Sequence, residues 1–226
     1  MCGRFTLTVD PGQLQEEFPW VDVPPGFSPR FNIAPTQPVA VVPNDGSNHL
    51  DFFVWGLIPF WAKDPEIGSR LINARSETLA EKPAFRGSLR HRRCLVIADG
   101  FYEWRQEPDS KAKTPMYIQL KSKKPFAFAG LWDVWHSPDG SEVRSCTIIT
   151  TRPNSLVESI HNRMPVILDP AVYGAWLLPG EANAADLAQY LRPYPGDEMR
   201  AFPVSRAVNS PKNDSPECIV PLVQEN

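Results

Sequence analysis

Twenty-five of the 226 residues are proline, about twice the usual share of roughly 5%. Proline fixes φ, removes an amide donor and breaks a helix interior. A chain punctuated this often is not built from long helices. It is built from short extended segments joined by turns. The rest of the composition, 42% hydrophobic and 22% charged with a net charge of -3, supplies a core for such a fold. It excludes a disordered chain, which would be poor in apolar residues and rich in net charge. The longest apolar stretches, such as Phe52–Leu57 and Phe126–Leu131, fall far short of the roughly 20 residues that cross a bilayer. No membrane partner is expected. The length permits one large core. No repeat, low-complexity run or linker divides the chain, so a single domain over residues 1–226 is expected.

Strand-like runs occupy Phe5–Val9, Pro38–Pro43, Asp51–Leu57, Cys94–Ala98, Phe101–Trp104, Pro115–Leu120, Phe126–Trp135, Val143–Thr150 and Ile219–Val223. Asp99-Gly100 reads as a turn pair between two of them. The loop around Ser137-Pro138-Asp139-Gly140 predicts a hairpin. Short helices are predicted at Gln13–Phe18, Asn154–Ile160, Ala171–Leu177 and Asn183–Leu191. In the second of these, Asn154 or Ser155 would cap and Glu158 follows three residues after Ser155. The pattern is α+β: a curved, mostly antiparallel, barrel-like sheet with a few short helices.

The cysteines, Cys2, Cys94, Cys146 and Cys218, form no C-x-x-C pair and share no spacing with histidine that would hold a metal. Neither metal nor cofactor is expected. The N-terminus is neither a signal peptide nor a transit peptide, so a cytoplasmic protein with reduced thiols is expected. Cys94, Cys146 and Cys218 sit in apolar runs and read as buried small hydrophobes. Charge is uneven. Arg70–Arg93 carries seven basic residues against Glu77 and Glu81, and Lys111–Lys124 adds five lysines and no acid. Charge alone favours an ordinary solvated face. The nearby Trp55, Phe60, Trp61 and Phe85 move the reading toward a groove that stacks bases of single-stranded nucleic acid.

Cys2 stands apart. A small residue at position 2 favours removal of Met1, which would leave an α-amine and a thiol on adjacent carbons. The amine has an ordinary pKa of about 7.7–8.0, so a useful fraction is neutral. It can condense with an aldehyde to an imine. The thiol can then close a five-membered thiazolidine, helped by proximity. No internal cysteine can do this. The ordinary alternative is a frayed chain end.

Three other segments carry candidate chemistry. Asn73-Ala74-Arg75 places an amide and a guanidinium on one face if extended. Glu103 lies among Phe101, Tyr102 and Trp104, where burial would raise its pKa toward neutrality. His161 ends a short helix before Pro165 and is a default proton shuttle. Each also has an ordinary reading: a turn asparagine, an exposed hairpin glutamate, a helix-capping histidine.

Taken together, Met1-Cys2-Gly3-Arg4-Phe5, Asn32–Thr36, Trp55–Pro59, Asn73–Thr78, Ala98–Trp104, Thr150-Thr151, His161–Pro165 and Pro203–Ser205 resemble the SOS response-associated peptidase (SRAP) family of abasic-site processing proteins. The match is ordered along nearly the whole chain. The resemblance implies a single mixed domain with a curved sheet and a positive channel. It implies a substrate, the abasic site in single-stranded DNA such as a stalled replication fork exposes; a monomer, nucleoid-associated when engaged on DNA, is the default expectation. It implies a product, a thiazolidine DNA–protein cross-link through Cys2 that shields the lesion. Self-processing of the N-terminus is implied as a side activity, and lyase chemistry is expected on chemical grounds, since an imine acidifies the adjacent carbon.

By the same resemblance, Cys2 is the nucleophile and Asn73 positions the opened sugar. Glu103 moves protons at the amine and sugar oxygens, and His161 assists ring opening and release. Arg4 and Arg75 hold phosphates, and Pro35 lies in a loop beside the lesion. Trp61 and Trp104 stack or shape the pocket. The family often carries a further phosphate-gripping basic residue after the Asn-Ala-Arg segment, and Lys82 and Arg86 are the nearby choices. Two competing readings are an amidohydrolase or peptidase that uses Cys2 as an N-terminal nucleophile, and a non-catalytic reader of single-stranded DNA.

Overall fold

The computed structural model describes residues 2–108 and 111–222. In chain order the strands are β1 (Phe5–Leu7), β2 (Arg30–Ile33), β3 (Pro38–Pro43), β4 (Asp51–Trp55), β5 (Asn73–Arg75) and β6 (Arg93–Ala98). They continue as β7 (Gly100–Gln106), β8 (Lys113–Leu120), β9 (Phe126–His136), β10 (Glu142–Thr151), β11 (Met164–Pro165) and β12 (Met199–Pro203). The α-helices are α1 (Pro11–Glu17), α2 (Pro83–His91), α3 (Tyr173–Trp176) and α4 (Ala184–Ala188).

The strands form two sheets. In one, β10, β4, β3, β6 and β9 pair in that order, and β9 pairs back to β10, so five strands close on themselves. The barrel is mixed, because β10 runs parallel to β4 while its other pairs are antiparallel. Closure removes the exposed edges that an open sheet would leave. Strand β10 is ten residues long and extends past the ring. Its far end carries β5 in parallel and β11 in antiparallel register. The second sheet, β12-β8-β7-β1-β2, is antiparallel throughout.

The expected α+β, barrel-like, mostly antiparallel architecture is present, with two corrections of detail. Asp99-Gly100 does not turn a hairpin. Strand β6 stays in the barrel and β7 starts the other sheet, so the pair is a crossing point. The buried Asp99 carboxylate fixes it, accepting from Thr6 Oγ1 at 2.5 Å, Thr8 N at 2.5 Å and Thr8 Oγ1 at 2.6 Å. Gly100 is required for packing: a Cβ there would lie 2.1 Å from the Tyr117 hydroxyl. The run at Ile219–Val223 is not a strand. Pro216–Ile219 forms a 3-10 turn and Pro221 makes one bridge to Val204, while Val223 lies outside the described residues.

The hairpin β9–β10 forms as expected. The helix expected over Asn154–Ile160 is reduced to a 3-10 turn at Val157–Ser159, with Asn154 Oδ1 accepting from the amides of Leu156 and Val157. The one expected over Ala171–Leu177 splits into a 3-10 turn and α3. Asn183 caps the short α4. Helix α2 has no counterpart in the sequence reading, because only Phe85 and Leu89 mark an apolar stripe among charges. Its stability comes from tertiary contact. The buried Arg93 guanidinium donates to Leu89 O and Arg90 O at its end, to Trp176 O at the end of α3 and to Leu178 O just past it. Those are carbonyls a helix end leaves open.

The two sheets meet over an aromatic core. The Phe5 ring meets Trp55 edge-on at 5.0 Å and Phe128 at 5.8 Å, and Phe101 meets Phe128 at 6.0 Å. Rings at these separations favour such edge geometries. This core anchors the first residues of the chain on the barrel. No described helix is long and apolar enough to cross a membrane.

Candidate functional site

Strand β1 begins at Phe5, and the core holds Phe5 fixed. The residues just before it are therefore not a frayed end. Arg4 O accepts from the amide of Tyr102, and Cys2 is fully buried. Its thiol lies 3.8 Å from Arg4 O. Burial pushes the Cys2 thiol pKa up, and the charge of Glu103 pushes it further.

Asn73 reaches Cys2 from the barrel side. Trp55 Nε1 donates to Ile72 O at 2.9 Å, which pins the residue before Asn73. Pairing of β5 with β10 then sets Asn73 in extended conformation, opposite Ile148. Its Nδ2 donates to Cys2 O at 2.7 Å. Its Oδ1 is buried and has no hydrogen-bond partner among the described residues. A buried acceptor left open is costly and suits a substrate donor.

Glu103 comes from the other sheet. It sits on β7 opposite Met116, on the same face as Phe101, and is buried rather than exposed. Burial pushes its carboxyl up to about 7, and nearby positive charge, Lys113 included, pulls the other way. His161 Nε2 faces Glu103 Oε2 at 4.0 Å. That is too long for a hydrogen bond, and the two form an ion pair only when the ring holds a proton that Glu103 has released. Burial, and then surrounding positive charge including Arg163, pushes His161 below its ordinary value. Its Nδ1 lies 3.1 Å from Arg163 N and 3.2 Å from Arg163 O. The neutral ring can accept from that amide, and the protonated ring can donate to that carbonyl. One residue's backbone therefore holds the ring in both proton states.

The structure thus brings Cys2, Asn73, Glu103 and His161 together at the seam between the sheets. Arg75, Lys82 and Arg86 are exposed nearby in sequence, Arg75 at the end of β5 and Lys82 capping α2. Arg86 lines a cavity of about 700 Å³ with Arg90, His91 and Glu181. Trp61 is 48% exposed beside Phe60. Pro35 sits half-buried in a turn held by Thr36 N donating to Trp55 O and by Gln37 Oε1 accepting from Ala34 N. Arg4 and Trp104 are tied inward. Arg4 donates to Asn32 Oδ1, Val208 O and Asn209 O, and Trp104 Nε1 donates to Asn209 Oδ1.

Sequence reasoning passed over Arg163, Glu77 and Asn32. Arg163 and Glu77 form a two-pronged ion pair at 2.6 and 2.9 Å, and Asn32 braces Arg4. Both lie inside the quoted motifs. Their adjacency to His161 and Asn73 was the available signal, but only the fold shows that they meet. Among the described residues no cluster of His, Cys, Asp and Glu could hold a metal ion.

A model of the SOS response associated peptidase (SRAP) family matches residues 1–211. Abasic site processing protein YoqW of Bacillus subtilis (strain 168) is 51% identical over 223 residues, covering 97% of this chain and 99% of that protein. Abasic site processing protein HMCES of Xenopus tropicalis is 31% identical over 268 residues, covering 99% of this chain and 79% of that protein. A crystal structure of a protein from Bacteroides thetaiotaomicron superposes with a TM-score of 0.85 at 27% identity, covering 98% of this chain and all of that one. With the seam between the two sheets built from residues of the family's motifs and the match spanning the chain, the protein belongs to the SOS response associated peptidase family.

Proposed function

We propose that this protein processes abasic sites in DNA, and that it does so by forming a covalent thiazolidine through Cys2 after removal of Met1. The observation that carries the reading is the grip on Cys2: its carbonyl is held by Asn73 at 2.7 Å, beside Glu103 and His161, which face each other at 4.0 Å. The names of its relatives as abasic site processing proteins support the substrate class.

The ring-opened abasic sugar presents an aldehyde. The Cys2 amine adds to it, and the resulting carbinolamine loses water to give an imine. The thiol sulfur then bonds to the imine carbon, and the thiol proton ends on nitrogen. Overall one water is released. This chemistry does not need a free thiolate. Burial and the Glu103 charge both raise the thiol pKa, the opposite of what a thiolate-based hydrolase uses. Glu103, near neutrality at about 7, can protonate the departing oxygen and take the proton back on reversal. The depressed His161 is neutral at cellular pH and can accept a proton during sugar opening. The open Asn73 Oδ1 would receive the hydroxyl that opening releases. Lesion choice then rests on the aldehyde, because phosphate contacts carry no sequence information. Single-stranded DNA, including that exposed at forks, fits because a base-free sugar reaches a pocket without unstacking a base.

The test is intact mass spectrometry of the untagged protein mixed with a single-stranded oligonucleotide carrying one abasic site. The expected product has lost Met1, resists denaturation, and weighs the sum of protein and DNA less one water. Undamaged DNA and the Cys2→Ala protein give no such product. Loss of Met1 with no adduct would overturn the reading and direct the search to peptide and amide substrates.

A further inference from the structure

We infer that Glu77 is a positioning residue for this reaction, acting through Arg163 on His161. The inference rests on the cross-linking reading above and adds a residue to it. Glu77 lies in the 3-10 turn Ser76–Thr78, directly after β5, four residues beyond Asn73. Arg163 lies directly before β11, two residues beyond His161. Both short strands hang on the projecting end of β10. Three or two residues of pairing hold such a segment weakly, so the segments need a further tie.

The ion pair supplies that tie. Arg163 Nη1 donates to Glu77 Oε1 at 2.6 Å, and Nη2 donates to Oε2 at 2.9 Å and to Thr150 O at 2.7 Å. A planar guanidinium bound in two places to a carboxylate and in a third to β10 has one allowed placement. The Arg163 side chain is 13% exposed and the Glu77 side chain 52%, so the tie rests on the two-pronged geometry rather than on exclusion of water. Hydrogen bonding from Arg163 draws the Glu77 carboxyl below its ordinary range. The consequence reaches the chemistry through the backbone. The amide and carbonyl of Arg163 are the groups that hold His161 Nδ1, so fixing the Arg163 side chain fixes the direction of Nε2 toward Glu103. The same clamp fixes the segment carrying Asn73 relative to the segment carrying His161. No part of Glu77 needs to meet DNA for this.

The experiment compares Glu77→Gln, Glu77→Asp, His161→Gln and the Glu77→Gln/His161→Gln double variant with the unmodified protein. Single-turnover cross-linking, affinity for abasic single-stranded DNA, and the ring-nitrogen resonances of His161 in the free protein are measured. A misplacement of about 1 Å costs on the order of a hundredfold in rate, so Glu77→Gln is expected to slow cross-linking roughly tenfold to a hundredfold. Affinity should stay within about twofold, since the charge that meets phosphate is untouched. The His161 resonances should shift. Glu77→Asp should recover much of the rate, and the double variant should be no slower than His161→Gln. A parental rate with parental His161 resonances in Glu77→Gln would overturn the inference, as would fully additive losses in the double variant. If the unmodified protein forms no adduct, the cross-linking reading falls, and the resonances of the free protein alone decide whether Glu77 orients His161.

Discussion

The amide of Asn73 donates to the carbonyl of Cys2 at 2.7 Å, while its own Oδ1 is buried and open. One side chain therefore does two things: it fixes the chain end and presents an acceptor. The donor half holds the residue whose amine and thiol would react. The acceptor half has a cost in the free protein that a bound hydroxyl would remove.

Asn73→Ala removes both halves and leaves the basic side chains in place. Cross-linking is expected to slow by roughly a hundredfold, the cost of a loosely placed reactant. Affinity for abasic DNA should change by less than about threefold. Single-turnover gels and equilibrium titration on the same variant check this. A rate within twofold of the parent would remove Asn73 from the chemistry.

How much of this was visible without coordinates differs from residue to residue. The strands β3 and β9–β10 were legible because β-branched and aromatic runs were bounded by turn residues. Asp99-Gly100 misled, because a turn pair and a crossing between sheets share the same local need for a small residue. What separates them is Tyr117, whose hydroxyl fills the space above Gly100. Helix α2 was hidden because Arg93, whose guanidinium satisfies the carbonyls at its end, reads in sequence as one more surface charge, and only its bonds to Trp176 O and Leu178 O, more than 80 residues away, show that it is buried. The four central side chains were not legible singly, since each had an ordinary reading, but were legible through the ordered set of motifs. The Glu77–Arg163 clamp was not, since 86 residues separate the partners.

Arg4 and Arg75 are expected to part company under mutation. Arg4 has acceptors inside the protein, so Arg4→Gln leaves Asn32 and the carbonyls of Val208 and Asn209 short of a donor. Urea unfolding should show a loss of about 1–3 kcal/mol. Arg75 is exposed, and Arg75→Gln should leave stability within about 0.5 kcal/mol. It should instead weaken binding uniformly and lower the log–log salt slope by about 0.7, the value for one contact to a single strand. An unchanged salt slope would take Arg75 off the phosphate path.

Gly100→Ala tests the crossing. Its Cβ would fall 2.1 Å from the Tyr117 hydroxyl and 2.3 Å from the ring carbon bearing it. Tyr117 is buried, and its hydroxyl lies 2.9 Å from Thr6 Oγ1, so the ring cannot simply swing away. Overpacking of this kind costs about 1–3 kcal/mol or more. A lower unfolding midpoint is expected, and Tyr117→Ala in the same chain should recover part of what the added methyl removes. Equal midpoints for Gly100→Ala and the parent would mean that the strand moves freely at this point.

Glu103 links stability and rate through one proton. Burial lifts its carboxyl from 4.5 to about 7. Between those values the folded protein keeps a proton that the unfolded chain has released. Its contribution is full below about pH 4.5, is lost as pH rises through about 7, and changes little above that. The total is at most about 3.5 kcal/mol, since each pH unit of difference is worth about 1.4 kcal/mol. Urea midpoints should therefore fall from about pH 5 to about pH 8, and Glu103→Gln should flatten that decline. The cross-linking rate should answer to the same proton. It rises as the Cys2 amine becomes neutral near its ordinary 7.7–8.0 and falls as Glu103 loses its proton, giving a bell with its maximum between the two. Glu103→Gln should lower the rate and remove the alkaline limb, leaving the rise that belongs to the amine. A parent rate that levels off by about pH 9 and does not fall would show that the Glu103 proton is not used.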